Sequence, residues 1–105
     1  MLRLALRQAL AVLMLTGPAL AASPAEQRGK TFVLTNCARC HSIDRTTPSP
    51  LKIAPPFRTL HNRYPIETLA EALAEGIVTG HPTMPQFQLE PDQINDLLSF
   101  LKTLE

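Results

Sequence analysis

Tryptophan is absent from this chain of 105 residues, and aromatic side chains make up only 5% of it. Large rings are therefore too scarce to fill a core by themselves. An excess of one charge is also missing, because ten Lys plus Arg oppose nine Asp plus Glu, and this argues against a strongly basic nucleic-acid-binding protein. Only two cysteines occur, which excludes a framework of several disulfides.

The first residues follow the order of segments that is typical of a secretory signal peptide. Arg3 and Arg7 precede an apolar run at 9–15, and small residues follow at 19 and 21. The apolar run is shorter than the about 20 residues that span a bilayer, so an uncleaved anchor is the weaker interpretation. We expect residues 1–21 to be removed, leaving one domain over 22–105 with no stable membrane insertion and a periplasmic location.

Three stretches of the remaining chain have helical periodicity. Ser23, Pro24 and Glu26 form a capping-box pattern with a first-turn proline, and the helix that they begin has a face ending on both cysteines. Pro65 and Pro91 are placed to begin two further helices. No run alternates as a strand would, so the sequence predicts an all-α fold. The expected buried positions are Ile66, Leu69, Ala70, Leu73, Ala74 and Ile77 on the second helix, and Ile94, Leu97, Leu98, Phe100, Leu101 and Leu104 on the third.

The middle of the chain has no period. Four of the ten prolines, at positions 48, 50, 55 and 56, fall within residues 42–57 and disfavour helix there. We expect a loop over 42–57, one short helical turn around 58–62, and a second loop over 80–90. A structureless stretch of this length in so small a domain indicates that the chain wraps around something.

The segment Cys37-Ala38-Arg39-Cys40-His41 carries the most specific chemistry. Two thiols three positions apart on one helical side can form thioethers along one edge of a porphyrin, and the histidine that follows can bind the iron. This is the CxxCH pattern of haem c attachment. One covalent haem also supplies the large apolar surface that a domain of this size needs in order to fold.

Three other uses of the cysteine pair are weaker. A thioredoxin-type redox module requires a βαβ context, which the pattern lacks. A structural zinc site requires four nearby ligands, and no second CxxC occurs. A disulfide between Cys37 and Cys40 would close a very short loop and stabilise the chain little.

Met84 is the favoured second axial ligand of the iron. It is the only methionine beyond the expected cleavage site, and it lies beside prolines in the loop between the second and third helices. A thioether is a soft donor that raises the reduction potential relative to two histidines. His81 and His61 are the remaining candidates, and His61 is expected to be a surface residue.

With these features the chain resembles a small bacterial class I c-type cytochrome with one haem. The resemblance implies that Gly29 marks the crossing of the first and last helices against Phe100, and that Met84-Pro85-x-Phe87 is the ligand loop. It further implies that the Pro55 carbonyl accepts a hydrogen bond from Nδ1 of His41, with Pro50 as a rival acceptor. The chain departs from the family pattern in having Val33 where an aromatic is usual, with Phe32 before it, and Ala54 where glycine is common.

An iron with two strong axial ligands leaves no position for a substrate. The expected function is therefore outer-sphere electron transfer, by a soluble carrier or by the small electron-accepting subunit of an oxidoreductase, with redox proteins as transient partners and no catalytic residue of its own. The alternative is a five-coordinate haem c protein that binds a small gas or reduces peroxide; a thiol redox module is weaker still. Candidates for the haem edge are Arg39, Arg58, Arg63 and Tyr64.

Overall fold

The computed structural model describes residues 21–77 and 83–105. No strand occurs in these two ranges, so the prediction of an all-α fold with three main helices is confirmed. The helices in chain order are α1 (Pro24–Asn36), a 3-10 helix (Phe57–Asn62), a short 3-10 turn (Ile66–Thr68), α2 (Leu69–Glu75) and α3 (Pro91–Lys102). The expected signal peptide lies outside the described residues except for Ala21, as do residues 80–82 of the second predicted loop.

The starts of α1 and α3 are as predicted. Ser23 Oγ accepts a hydrogen bond from the backbone N–H of Glu26 at 3.1 Å, and the Glu26 carboxylate accepts one from the N–H of Ser23 at 3.2 Å. At α3 the side chain of Gln93 accepts a hydrogen bond from the N–H of Glu90 at 3.1 Å, just before Pro91. These bonds satisfy backbone donors that have no partner inside a helix.

α1 and α3 cross at Gly29. A Cβ added to Gly29 would lie 2.8 Å from the Cβ of Phe100 and would collide with the carbonyl oxygen of Asp96. Beside this crossing the guanidinium of Arg28 holds the Asp96 carboxylate through two bonds of 2.9 and 3.0 Å. The expected pairing of Gly29 with Phe100 is therefore present, because only glycine lets the two backbones approach so closely.

The core joins all three helices with the intervening turns. Val33 of α1 and Ile66 of the short 3-10 turn are fully buried. The predicted apolar stripe of α3 is also inside, although Leu98 is only half-buried. The other buried core residues are Leu60, Leu73, Ile94, Leu97, Phe100, Leu101 and Leu104.

The sequence predicts that both cysteines lie on the first helix, and this is wrong because the helix ends before Cys37. α1 ends at Asn36, and the N–H groups of Cys40 and His41 both bond to the carbonyl oxygen of Cys37, at 3.2 and 3.0 Å. Cys37 closes the helix by donating to Val33 O at 2.9 Å. The attachment segment is therefore a tight turn that follows the helix.

The second helix is shorter than its apolar pattern predicts. Pro65 precedes a 3-10 turn, and the α-helical part ends at Glu75 because Gly76 adopts φ 105°, which terminates the helix. Ile77 consequently lies beyond the helix, and Ala74 is exposed where burial was expected.

The predicted loop in the middle of the chain is confirmed, and backbone hydrogen bonds connect it to the segment that follows Cys37. The N–H of Leu51 bonds to Cys40 O at 3.1 Å, and the N–H of Phe57 bonds to Ser42 O at 2.9 Å. The 3-10 helix at 57–62 accounts for the predicted helical turn. Within residues 21–77 and 83–105, no helix has the length and apolar character needed to cross a membrane.

Candidate functional site

A cavity of about 640 Å³ opens between α1, the 42–57 loop, α2 and the segment that begins at Thr83. Its size falls within the range of small-molecule and cofactor sites, about 300–1,000 Å³. Cys37, Cys40, His41 and Met84 all lie on its wall. The rest of the wall is largely apolar and includes Phe32, Leu60, Leu69, Leu73, Leu97 and Leu101.

Both cysteines are half-buried at the cavity, and no disulfide joins them. Burial raises the pKa of the Cys37 thiol to about 11. A thioredoxin-type redox thiol needs the opposite shift, because the thiolate is the reactive form. The microenvironment of Cys37 thus argues against the thiol redox module.

His41 is held on two sides. Its Nδ1 lies 2.8 Å from the carbonyl oxygen of Pro55, and its ring packs on that of Phe57 with centroids 4.7 Å apart and planes tilted by 36°. Because a carbonyl oxygen can only accept, Nδ1 carries the proton and Nε2 is the nitrogen that can bind a metal. The contact is made by Pro55, which the resemblance favoured over Pro50.

Met84 is half-buried, and the chain just after it is fastened to the rest of the domain. The N–H of Ile77 bonds to Phe87 O at 3.2 Å, and the N–H of Leu89 bonds to Leu73 O at 2.8 Å. The ring of Phe87 meets that of Phe32 edge-on, with centroids 6.0 Å apart and planes at 70°. These contacts hold the segment that carries Met84 beside α1 and α2.

The two histidine alternatives to Met84 have different outcomes. His81 lies outside the described residues. His61 is half-buried in the 3-10 helix, rather than on the surface as expected, and does not line the cavity. In the described parts of the chain, no three His, Cys, Asp or Glu residues are grouped to hold a metal ion.

The residues predicted at the haem edge separate into two groups. Arg63 and Tyr64 line the cavity. Arg39 is exposed and does not line it. The guanidinium of Arg58 turns instead toward the loop that follows His41, where it bonds to Ser42 and Thr47. Neither Ser42 nor Arg58 belongs to a periodic pattern, so this cluster could not be predicted from the sequence.

An all-α domain with a CxxCH turn at the end of its first helix, open to an apolar cavity, defines a c-type cytochrome. The sequence comparison agrees, because residues 26–105 match the Cytochrome c family. The chain belongs to this family. It is 32% identical to a cytochrome c-553-like protein of Synechocystis sp. (strain ATCC 27184 / PCC 6803 / Kazusa) over 77 residues, which are 73% of this chain and 67% of the relative. No solved structure matches the chain significantly.

The chemistry of the cavity fits the family's cofactor, one covalently attached haem c. Its apolar walls suit the faces of a porphyrin, the two thiols fit the CxxCH attachment pattern, and an imidazole and a thioether both line the cavity. Haem c supplies reversible one-electron chemistry at its iron, so the protein is an electron carrier.

Proposed function

We propose that this cytochrome is a periplasmic electron-transfer protein in which His41 and Met84 are the axial ligands of the iron and Cys37 and Cys40 form the thioethers. Removal of residues 1–21 would release the domain 22–105. It acts as a soluble carrier or as the small electron-accepting subunit of an oxidoreductase.

The observation that carries this proposal is the convergence of four donor side chains on one apolar cavity. Cys37, Cys40 and His41 enter from the turn after α1, whereas Met84 enters from the segment before α3. Ligands that come from distant parts of the chain can occupy opposite faces of a planar group between them. Two strong axial ligands then exclude substrate from the metal.

The chain contributes a low-dielectric pocket and fixed ligand geometry. The bond of His41 to Pro55 sets the imidazole tautomer and raises its basicity. The soft sulfur of Met84 favours the ferrous state and raises the reduction potential. Because both ligand segments are anchored, little rearrangement accompanies a change of oxidation state, as a fast carrier requires.

The partners that suit this activity are redox proteins that meet the cytochrome through a small, transient interface. The sequence has a net charge of only +1, which gives no basis for nucleic-acid binding. A monomer, or a small subunit within a larger complex, is consistent with the activity.

The test is a visible spectrum of protein purified from its native periplasm, in both oxidation states, together with a potentiometric titration. We expect a six-coordinate low-spin haem and the weak long-wavelength ferric band of sulfur ligation. Met84→Leu should abolish that band and lower the potential, whereas Gln88→Ala, an exposed change in the same segment, should alter neither.

Two results would contradict the proposal. Rapid carbon monoxide binding to the untreated ferrous protein would support a five-coordinate haem that binds a small gas or reduces peroxide. A periplasmic protein whose mass includes residues 1–21 would show that the leader is retained.

A further inference from the structure

Ser42, the residue directly after His41, is only 3% exposed, yet it uses all of its polar groups. Its N–H donates to Ser49 Oγ at 3.0 Å, and its carbonyl oxygen accepts from the N–H of Phe57 at 2.9 Å. Its hydroxyl lies 3.2 Å from Thr47 Oγ1 and accepts a bond from Arg58 at 3.1 Å. Such a fully satisfied buried group resists movement, because breaking any one bond leaves a buried polar atom unpaired.

Arg58 extends this network across the loop. From the 3-10 helix, its Nη1 donates to the backbone oxygens of Thr47 at 2.7 Å and Asp44 at 3.3 Å as well as to Ser42 Oγ. Asp44 in turn accepts bonds from the N–H groups of Thr46 and Thr47, at 2.9 and 2.7 Å. One half-buried guanidinium therefore ties the beginning of the loop to the helix that follows its end.

The two residues that hold the imidazole lie at that same end of the loop. Pro55 supplies the carbonyl that faces Nδ1, and Phe57 supplies the ring that packs on the imidazole. Phe57 is also bonded through its N–H to Ser42. The network thus connects the backbone next to His41 with both groups that orient the ring.

We propose that Ser42 and Arg58 are positioning residues for His41, which fix the orientation of its ring and the strength of its Nδ1–H bond to Pro55. This inference rests on the proposed axial role of His41. A weaker Nδ1–H bond makes the imidazole a poorer donor and stabilises ferric iron less. Loss of the network should therefore raise the reduction potential.

The direction of this shift separates positioning from simple charge. Removing the cation of Arg58 would, through charge alone, stabilise the ferric state and lower the potential. Ser42→Ala changes no charge. A rise in potential in Ser42→Ala, and a rise in Arg58→Met despite the lost charge, is the pattern that positioning predicts.

The experiment uses the intact haem-loaded protein and the variants Ser42→Ala, Arg58→Met and the double variant. The readouts are the reduction potential and the solvent exchange rate of the His41 Nδ1–H proton, measured by NMR in the ferrous state. We expect exchange to accelerate by about tenfold in each single variant, the factor that corresponds to ~1.4 kcal/mol. The double variant should add little, because both changes break one network.

Arg45→Met is the matched control, because it removes a cation from the same loop. The guanidinium of Arg45 lies outside the network and bonds to the carbonyl of Thr103 near the end of α3. It should leave the exchange rate unchanged. Unaltered exchange and potential in Ser42→Ala and Arg58→Met, in a wild type with six-coordinate haem, would overturn this inference alone. A wild type without histidine ligation would overturn the proposed function.

Discussion

The rings of Phe32 and Phe87 meet edge-on, with centroids 6.0 Å apart. Phe32 belongs to α1, five residues before Cys37, and Phe87 follows Met84 by three residues. This single contact therefore joins the helix that carries the attachment turn to the segment of the proposed methionine ligand. Phe32 lines the cavity, whereas Val33, at the position where the family usually has an aromatic, is buried in the core.

Phe32→Leu should weaken the iron–methionine bond while the domain stays folded. Leucine keeps most of the apolar surface but loses the edge-on ring contact, which is worth ~0.5–1.5 kcal/mol. We expect added imidazole to displace Met84 up to about tenfold more readily, as measured by loss of the long-wavelength ferric band. Leu34→Ala, on the exposed side of the same helix, is the control and should leave displacement unchanged.

Gly29→Ala should destabilise the protein even though alanine favours helix by about 1 kcal/mol over glycine. The added methyl group would collide with the Asp96 carbonyl and approach the Cβ of Phe100 at 2.8 Å. Because backbone cannot move as a side chain can, we expect a net loss of about 1–3 kcal/mol in the free energy of unfolding by denaturant. Lys30→Ala, at an exposed neighbouring position, should cost far less; equal losses would contradict the crossing as the cause.

Asp44 should stabilise the fold at neutral pH and lose this effect in acid. Bonds from the Thr47 hydroxyl and from the N–H groups of Thr47 and Thr46 lower its pKa to about 2, with a smaller effect of the Arg58 charge. A carboxylate whose folded pKa lies below the ordinary value, about 3.9, stabilises the fold above that value and loses this effect as the pH falls toward 2. Thermal melts of Asp44→Asn should therefore show lower stability at neutral pH and a shallower decline between about pH 4 and 2.

Glu71→Gln provides the comparison for Asp44, because Glu71 is exposed on α2. The melting temperature of the Glu71→Gln variant should change with pH in the same way as that of the wild type. A steep wild-type-like decline in Asp44→Asn would show that other carboxylates cause the acid transition.

Cys37→Ala combined with Cys40→Ala should give a largely unfolded chain. Without a covalent haem, the apolar wall of the cavity of about 640 Å³ has nothing to bury it. Circular dichroism during heating should show no cooperative transition. The Cys40→Ala variant, which keeps one thioether, should retain haem and melt cooperatively at a lower temperature. A native-like transition in the haem-free double variant would contradict this expectation.

Much of the domain could be predicted because its signals are local. The cap at Ser23, the prolines that begin α1 and α3, and the CxxCH spacing each act within one or two helical turns. The crossing at Gly29 could be expected only through the resemblance, since it joins distant parts of the chain. The backbone conformation of Gly76, which shortens α2, was not evident from an apolar pattern that continued through Ile77.

The hydrogen bonds of Ser42 and Arg58 were not predictable for another reason. They join polar residues across an irregular loop, where neither helical nor strand periodicity constrains the spacing. Arg58 is one of the candidates for the haem edge, but the folded loop offers its guanidinium three oxygen acceptors. Such acceptors exist only once the backbone of the loop has taken its shape.

The ion pair between Arg28 and Asp96 joins positions 68 apart in the chain. The pairing of α1 with α3 therefore closes a long stretch of chain, and such non-local contacts form more slowly than the local contacts within a helix. We expect the meeting of these two helices, rather than the formation of either one, to set the folding rate of the domain.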